Sequence, residues 1–304
     1  MPEITYEPLR NFGMEVVGLD LDQPIDPATA GELYNAWLRH GVLLFRKAGT
    51  SADIHLALSR VFGTLEEHVV KQILVKDTPE LIFLGSEGDE RGPATIIDGE
   101  KRAGFIFFHH DTNYGPTMPK GAVLRMVRVP ENGGDTVWTD TIRAYEALPD
   151  HVKARIETLE TLQSACGGLP LRGRLWGWAG HSASHANDLH LAVISPSTRA
   201  MRTEPMVVVH PETGRKGLNL SPLNFVRVLG MEEAEGDALY DEVVGIALRP
   251  EFSYRHKWSE YDMVVWDNRR TMHCGMGYPY EQKRFAYRTT LGEPMPIGAL
   301  YEDA

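Results

Sequence analysis

The residues whose types and spacing could do chemistry are His109 and Asp111, at the end of the run Phe105-Ile106-Phe107-Phe108-His109-His110-Asp111. Four apolar residues in succession predict a buried strand that ends in metal-capable groups. Residues two apart on a strand share a face, so His109 and Asp111 point one way and His110 the other. A further imidazole lies far downstream, where the apolar run Met263-Val264-Val265-Trp266 leads through a polar segment to His273. Two imidazoles and one carboxylate occupy one face of an octahedral ion and leave three positions open, the arrangement of non-haem Fe(II) oxygenases. Open positions are what O2 and a chelating cosubstrate need. The same ligand types also permit a hydrolytic zinc site, although the His-Glu-x-x-His spacing common in such sites is absent.

Arg284 and Arg288 follow in Lys283-Arg284-Phe285-Ala286-Tyr287-Arg288. In extended chain both guanidinium groups project to one side, with Phe285 and Tyr287 on the other. A guanidinium facing inward is costly unless it meets an anion, and its fork matches both oxygens of a carboxylate.

These groups must be positioned by a β-rich scaffold. Short runs of β-branched and aromatic residues recur at Glu15 to Leu19, Val42 to Arg46, Leu81 to Leu84, Phe105 to Phe108, Ala122 to Val127, Val207 to His210 and Met263 to Trp266. Helical spacing joins Leu33, Trp37 and Leu38; then Val152, Ile156, Leu159 and Leu162; then Ala234, Leu239, Val243 and Ala247 between Glu232 and Ala247, closed by Pro250. Regular β-α alternation is missing, so the pattern favours a mainly β fold with flanking helices, a sandwich or barrel, over a doubly wound sheet. Gly13-Met14-Glu15-Val16-Val17-Gly18 lacks the Lys-Ser/Thr ending of a phosphate loop and reads as a turn into a strand. No repeat or long linker breaks the 304 residues, and a single domain, 1–304, is expected.

A net charge of −11 disfavours nucleic acid and anionic membrane as partners, so an anionic substrate requires a local cationic pocket. Two cysteines, Cys166 and Cys274, cannot build a disulfide framework. With no signal-like start and no apolar run long enough to span a membrane, the expected compartment is the cytoplasm. A homo-oligomer is compatible with this reading.

In order and spacing, the sequence resembles the taurine dioxygenase and chlorophenoxyacetate dioxygenase family of Fe(II)/2-oxoglutarate-dependent enzymes. The pieces that carry the likeness run from about Gly13 to Gly292. They are Gly18-Leu19-Asp20-Leu21, Leu58-Ser59-Arg60-Val61-Phe62-Gly63, His109-His110-Asp111-Thr112-Asn113-Tyr114, Gly133-Gly134-Asp135-Thr136-Val137-Trp138, Ala144-Tyr145-Glu146-Ala147-Leu148, His210-Pro211-Glu212-Thr213-Gly214-Arg215-Lys216, Trp266-Asp267-Asn268-Arg269, and His273 to Arg288. The resemblance implies a double-stranded β-helix, or jelly roll, with iron held by His109, Asp111 and His273. It implies that Thr136 contacts 2-oxoglutarate and that Arg284 pairs with its distal carboxylate. It places Arg288 near both cosubstrate and substrate. The implied activity is hydroxylation or a related oxidation of a small organic, anionic substrate, using Fe(II), 2-oxoglutarate and O2 and releasing succinate and CO2. Asp111 is retained where halogenating relatives carry a small residue, which favours oxidation over halogenation. A zinc-dependent hydrolase leaves Thr136 and Arg284 unexplained, and a non-catalytic jelly-roll binding protein leaves the complete ligand set unexplained.

The same likeness makes His68, in Phe62-Gly63-Thr64-Leu65-Glu66-Glu67-His68, a candidate for binding the substrate anion, and Lys71 a second cation. The stretch 66–106 is expected to act as a lid, its Gly- and charge-rich part running from Gly85 to Gly104. The segment 167–200 departs most from taurine-like sequences. Its Arg172, Arg174, Trp176, Trp178, His181, His185 and His190 suit recognition of a larger, aromatic carboxylate. Phe105, Phe107 and Phe108 suggest an apolar pocket beside the metal strand.

Overall fold

The computed structural model describes residues 4–68, 71–85, 94–112, 115–164, 183–185 and 201–302. Two large sheets organise them. In one, Thr5–Pro8, Met14–Val17, Val42–Phe45, Met263–Asp267, Gly121–Arg128, Phe285–Leu291, Thr78–Gly85 and Leu74–Val75 lie side by side, with Leu65–Glu66 also paired to Phe285–Leu291. In the other the order is Ala183–His185, Ala94–Ile97, Glu100–His109, Thr271–Pro279, Thr136–Asp140 and Ser253–His256. Pairing is antiparallel throughout these sheets except where Met14–Val17 runs parallel to Val42–Phe45.

The central strands are continuously apolar because both of their faces are covered. Along Val42–Phe45, Val42 and Leu44 pack inward with Trp138, Tyr254, Trp258 and Trp266, a layer that joins the two sheets. Leu43 and Phe45 face the opposite way, onto Leu33 and Trp37 of the helix Pro27–His40 and Leu58 and Phe62 of the helix Ala52–Phe62. The second sheet has its own outer layer, where Val137, Met272 and Cys274 pack under Leu239, Tyr240 and Val243 of the helix Glu233–Ala247. Strand alternation thus produces three apolar layers from two sheets.

All seven expected strands are present, and so are the helices around Trp37 and Leu239. The periodicity from Val152 to Leu162 divides, however: the helix Asp150–Ile156 stops, and Glu160–Gln163 is a strand paired with Arg202–Pro205 and Phe225–Val228. Pairing on both edges overrides the helical spacing of Leu159 and Leu162. The helix Ala52–Phe62 was hidden because its buried face carries His55 and Ser59 among the apolar residues.

Within 66–106, the described residues include Thr78–Gly85, Ala94–Ile97 and most of Glu100–His109, all strands of the two sheets. Residues 86–93 lie outside the described residues, as does 167–200 apart from the strand Ala183–His185. The proposed recognition residues Arg172, Arg174, Trp176, Trp178, His181 and His190 therefore cannot be placed. Among the described residues, no helix is long and apolar enough to cross a membrane.

Candidate active site

His109 is the last residue of the strand Glu100–His109 and pairs directly across from His273 on Thr271–Pro279. The neighbours of His273, Met272 and Cys274, belong to the outer layer, so the alternation of the strand turns His273 to the interior. There its ring packs 5.1 Å from Trp266 and 4.3 Å from His109, centroid to centroid. The His109 ring is oriented by its Nδ1, 2.7 Å from the Phe107 carbonyl. A ring nitrogen that meets a carbonyl carries the proton, which leaves His109 Nε2 with its lone pair free.

Asp111 lies beyond the strand, in a turn where Thr112 adopts a left-handed φ of 52°. The expected shared face of His109 and Asp111 therefore arises from a turn rather than from strand periodicity. That turn is fixed by Asn268. The Asp111 N–H donates to Asn268 Oδ1 at 2.8 Å, and Asn268 Nδ2 donates to the Asp111 carbonyl at 3.1 Å. The Asn268 carbonyl also lies 2.7 Å from His110 Nδ1. Asn268 is a positioning residue that the sequence reading quoted within a motif but gave no role.

The two oxygens of Asp111 divide their work. Oδ1 lies 3.9 Å from His109 Nε2 and 3.8 Å from His273 Nε2, while Oδ2 accepts from Arg288 Nη2 at 2.7 Å. One atom from each of His109, Asp111 and His273 falls within 4.8 Å of the others, so these three side chains could hold one metal ion. Their protonation suits ligation. Burial would raise the Asp111 carboxyl, but Arg288 and the two imidazoles hold it down at about 2. Burial lowers His109, with Asp111 opposing the shift, and lowers His273 further, with His109 adding to it. An ionised carboxylate faces two neutral imidazoles at neutral pH.

Thr136 pairs with Gly275 on the central strand and with His256 on the other side. Arg284 sits just ahead of the strand Phe285–Leu291, four residues before Arg288 on that strand. Burial pushes the Arg284 guanidinium down to about 10, partly opposed by Tyr278 and Asp135. Room for it comes from Gly134, which has a φ of 75° and where a Cβ would lie 3.2 Å from Arg284 Cδ and 2.8 Å from Pro130. Phe285 and Tyr287 occupy the opposite face and pack on Phe83 at 5.7 and 5.8 Å.

The candidate substrate contacts separate. His68 is close enough to help hold the Asp111 carboxyl down. Lys71 is exposed, with its ammonium 2.6 Å from Glu67, and is not drawn into the cluster. Phe107 and Phe108 are fully buried in the layer beneath the helix Glu233–Ala247, with Phe105 packed against it. They are core residues, which corrects the expectation that they line a pocket. A surface depression bordered by Tyr34, Arg60, Gly63, Glu80, Lys120 and Glu293 contains none of the metal-capable side chains.

Behind the site, the turn from Met263–Asp267 to Thr271–Pro279 is held by a buried ion pair and a buried hydrogen bond to a carboxylate. Arg270 spans to Asp140 at 2.6 Å, and Asp267 Oδ2 lies 2.8 Å from His210 Nε2. His210 Nδ1 accepts the N–H groups of Glu212 and Thr213, so the proton sits on Nε2 and the ring donates to Asp267.

Residues 5–290 match the family model described as taurine catabolism dioxygenase TauD, TfdA family. The chain belongs to this family. It is 31% identical over 301 residues, covering 98% of this chain and 99% of the relative, to the (S)-phenoxypropionate/alpha-ketoglutarate-dioxygenase of Sphingobium herbicidovorans. It is similar in structure to a taurine dioxygenase from Burkholderia xenovorans, with a TM-score of 0.75 and 27% identity, covering 99% of this chain and 97% of that one. It is also similar to AAD-2 in complex with Mn(II) and N-oxalylglycine, with a TM-score of 0.71 and 26% identity, covering 96% and 99% of the two chains. The TauD/TfdA chain described here is thus a 2-oxoglutarate-dependent dioxygenase with the jelly-roll fold, and its cofactor and cosubstrates are Fe(II), 2-oxoglutarate and O2. Neither the zinc hydrolase nor the non-catalytic alternative finds support.

Proposed function

We propose that His109, Asp111 and His273 hold the Fe(II), that Thr136 and Arg284 hold 2-oxoglutarate, and that the enzyme oxidises a small organic anion received by Arg288 and His68. The observation that carries this reading is the divided Asp111 carboxylate, with one oxygen toward both imidazoles and the other on Arg288. The donor set fits the metal: two neutral nitrogens and one carboxylate oxygen are what a ferrous facial site requires. Bound together, Fe(II), 2-oxoglutarate and O2 supply the oxidising chemistry, with succinate and CO2 released.

The residues of the chain supply position and charge. Asn268 fixes the Asp111 backbone, and the Phe107 carbonyl fixes the His109 tautomer. Arg284, cationic and partly desolvated, meets one carboxylate of the cosubstrate, and the Thr136 hydroxyl donates to it as well. Arg288 keeps Asp111 ionised, and its remaining N–H groups and His68 favour an anion beside the metal. A carboxylate such as a phenoxypropionate and a sulfonate such as taurine both have this character, and the relatives are named for them. The stretch 66–106, which includes His68, covers the site in this reading. The acidic net charge argues against nucleic acid as a substrate, and the near absence of cysteine fits a cytoplasmic enzyme.

The test is an anaerobic titration of the Fe(II)-loaded protein with 2-oxoglutarate, followed by candidate carboxylates and sulfonates. A cosubstrate-dependent absorption band that shifts with an anionic substrate, and succinate release under O2, are expected. Succinate release that no organic anion stimulates would rule out the substrate class.

A further inference from the structure

We propose that Trp258 is a positioning residue that occupies one lone pair of the Thr136 hydroxyl and so directs its proton toward the cosubstrate. The inference rests on the reading that Thr136 lies at 2-oxoglutarate. Trp258 Nε1 donates to Thr136 Oγ1 at 3.0 Å, and both residues are 6% exposed. An indole N–H can only donate, so the sense of this bond is unambiguous. The hydroxyl oxygen serves as the acceptor, and its single proton must point elsewhere. A proton directed away from the indole suits a carboxylate oxygen and repels an N–H or ammonium group.

The contact is selective. The indole nitrogens of Trp37, Trp138 and Trp266 are also buried, and none has a hydrogen-bond partner among the described residues. A partnered indole is therefore not a general requirement of this core. Trp258 is wedged edge-on against His256, with centroids 4.5 Å apart and planes at 87°, and against Trp138 at 6.2 Å. His256 is itself anchored, its Nδ1 lying 2.7 Å from the Tyr254 hydroxyl. The ring cannot swing away without disturbing the layer between the sheets. Trp258 acts on the cosubstrate only through Thr136.

The experiment measures 2-oxoglutarate affinity by calorimetry on anaerobic, Mn(II)-loaded protein, alongside Mn(II) affinity. Thr136→Val is expected to weaken 2-oxoglutarate about 10- to 30-fold and Trp258→Phe about 3- to 10-fold, with Thr136→Ser close to the parent. Trp258→Phe should retain its effect in the Thr136→Ser background and lose it in the Thr136→Val background. An unchanged affinity in Thr136→Val overturns the placement of Thr136 itself. A normal affinity in Trp258→Phe beside a weakened Thr136→Val overturns the role of Trp258 alone. So does an effect of Trp258→Phe that persists without the hydroxyl, or one that lowers Mn(II) affinity equally. Trp258→Tyr takes its place in the same cycle should the phenylalanine variant fail to fold.

Discussion

The side-chain amide of Asn268 grips the main chain of Asp111 on both sides, accepting from its N–H at 2.8 Å and donating to its carbonyl at 3.1 Å. The grip sets the turn that carries the only carboxylate among the three metal-capable side chains. Asn268→Ala is expected to lower Fe(II) affinity about 10- to 100-fold, the usual effect of losing an outer partner of a ligand. Metal titration of the variant checks it, with circular dichroism to confirm that the sheets persist. Native affinity would show that the turn holds Asp111 without help.

His109→Ala and Asp111→Ala should each abolish iron retention and turnover. The aspartate variant carries a second effect, because Arg288 loses the carboxylate 2.7 Å away and is left buried without it. It should therefore melt earlier than His109→Ala, by an amount on the order of 3 kcal/mol. Metal analysis and thermal unfolding of the two apo-proteins separate the effects, and equal stability would show that Arg288 finds another partner.

Arg284→Ala is expected to raise the 2-oxoglutarate requirement while sparing metal. Losing a charge-assisted contact to a carboxylate costs roughly 2–5 kcal/mol. Burial already pushes this guanidinium down to about 10, so removing it relieves a desolvated charge, and the apo-protein should be no less stable. Steady-state kinetics at varied cosubstrate, with a parallel melting curve, tests both halves. An unchanged cosubstrate dependence refutes the role of Arg284.

The buried imidazoles give the apo-protein a pH dependence. Burial pushes His55 from 6.5 down to about 3 and His110 to about 4. Between these values and 6.5 the unfolded chain binds protons that the folded chain refuses. Stability is thus complete above pH 6.5 and falls as pH falls below it, by about 2 kcal/mol per histidine by pH 5. Asp111 adds almost nothing to this slope between pH 5 and 6.5, since its carboxylate is lowered from 3.8 to about 2 and its contribution is lost as pH falls through those values. His55→Gln, which can still reach the Val123 carbonyl, should make the melting temperature less sensitive between pH 7 and 5. Identical pH sensitivity in the variant would contradict the assignment.

The metal-capable trio was legible in the sequence because apolar strands lead into polar groups at both His109 and His273. Strand alternation placed His109 and Asp111 on one side, and the structure does bring them together, although through a turn and not a strand. The inward direction of His273 came only from the structure, where Met272 and Cys274 lie in the outer layer. The roles of Asn268 and Trp258 were not legible. Asn268 acts through two hydrogen bonds to Asp111 and Trp258 through one to Thr136, all between residues far apart in the chain, and no local period records such contacts. Phe107 and Phe108 misled for a related reason, since an apolar residue next to a ligand reads alike whether it lines a cavity or fills a core.

The direct pairing of His273 with His109 also bears on how the sheet finds its alignment. Sliding Thr271–Pro279 by one residue would bring Met272 or Cys274 to the interior and send the imidazole out under the helices. In the proposed reading, the observed register, with His273 opposite His109, is the one that assembles the iron ligands. Ferrous ion would then serve as a gauge of correct assembly, rewarding the in-register sheet and leaving every slipped alternative without that reward.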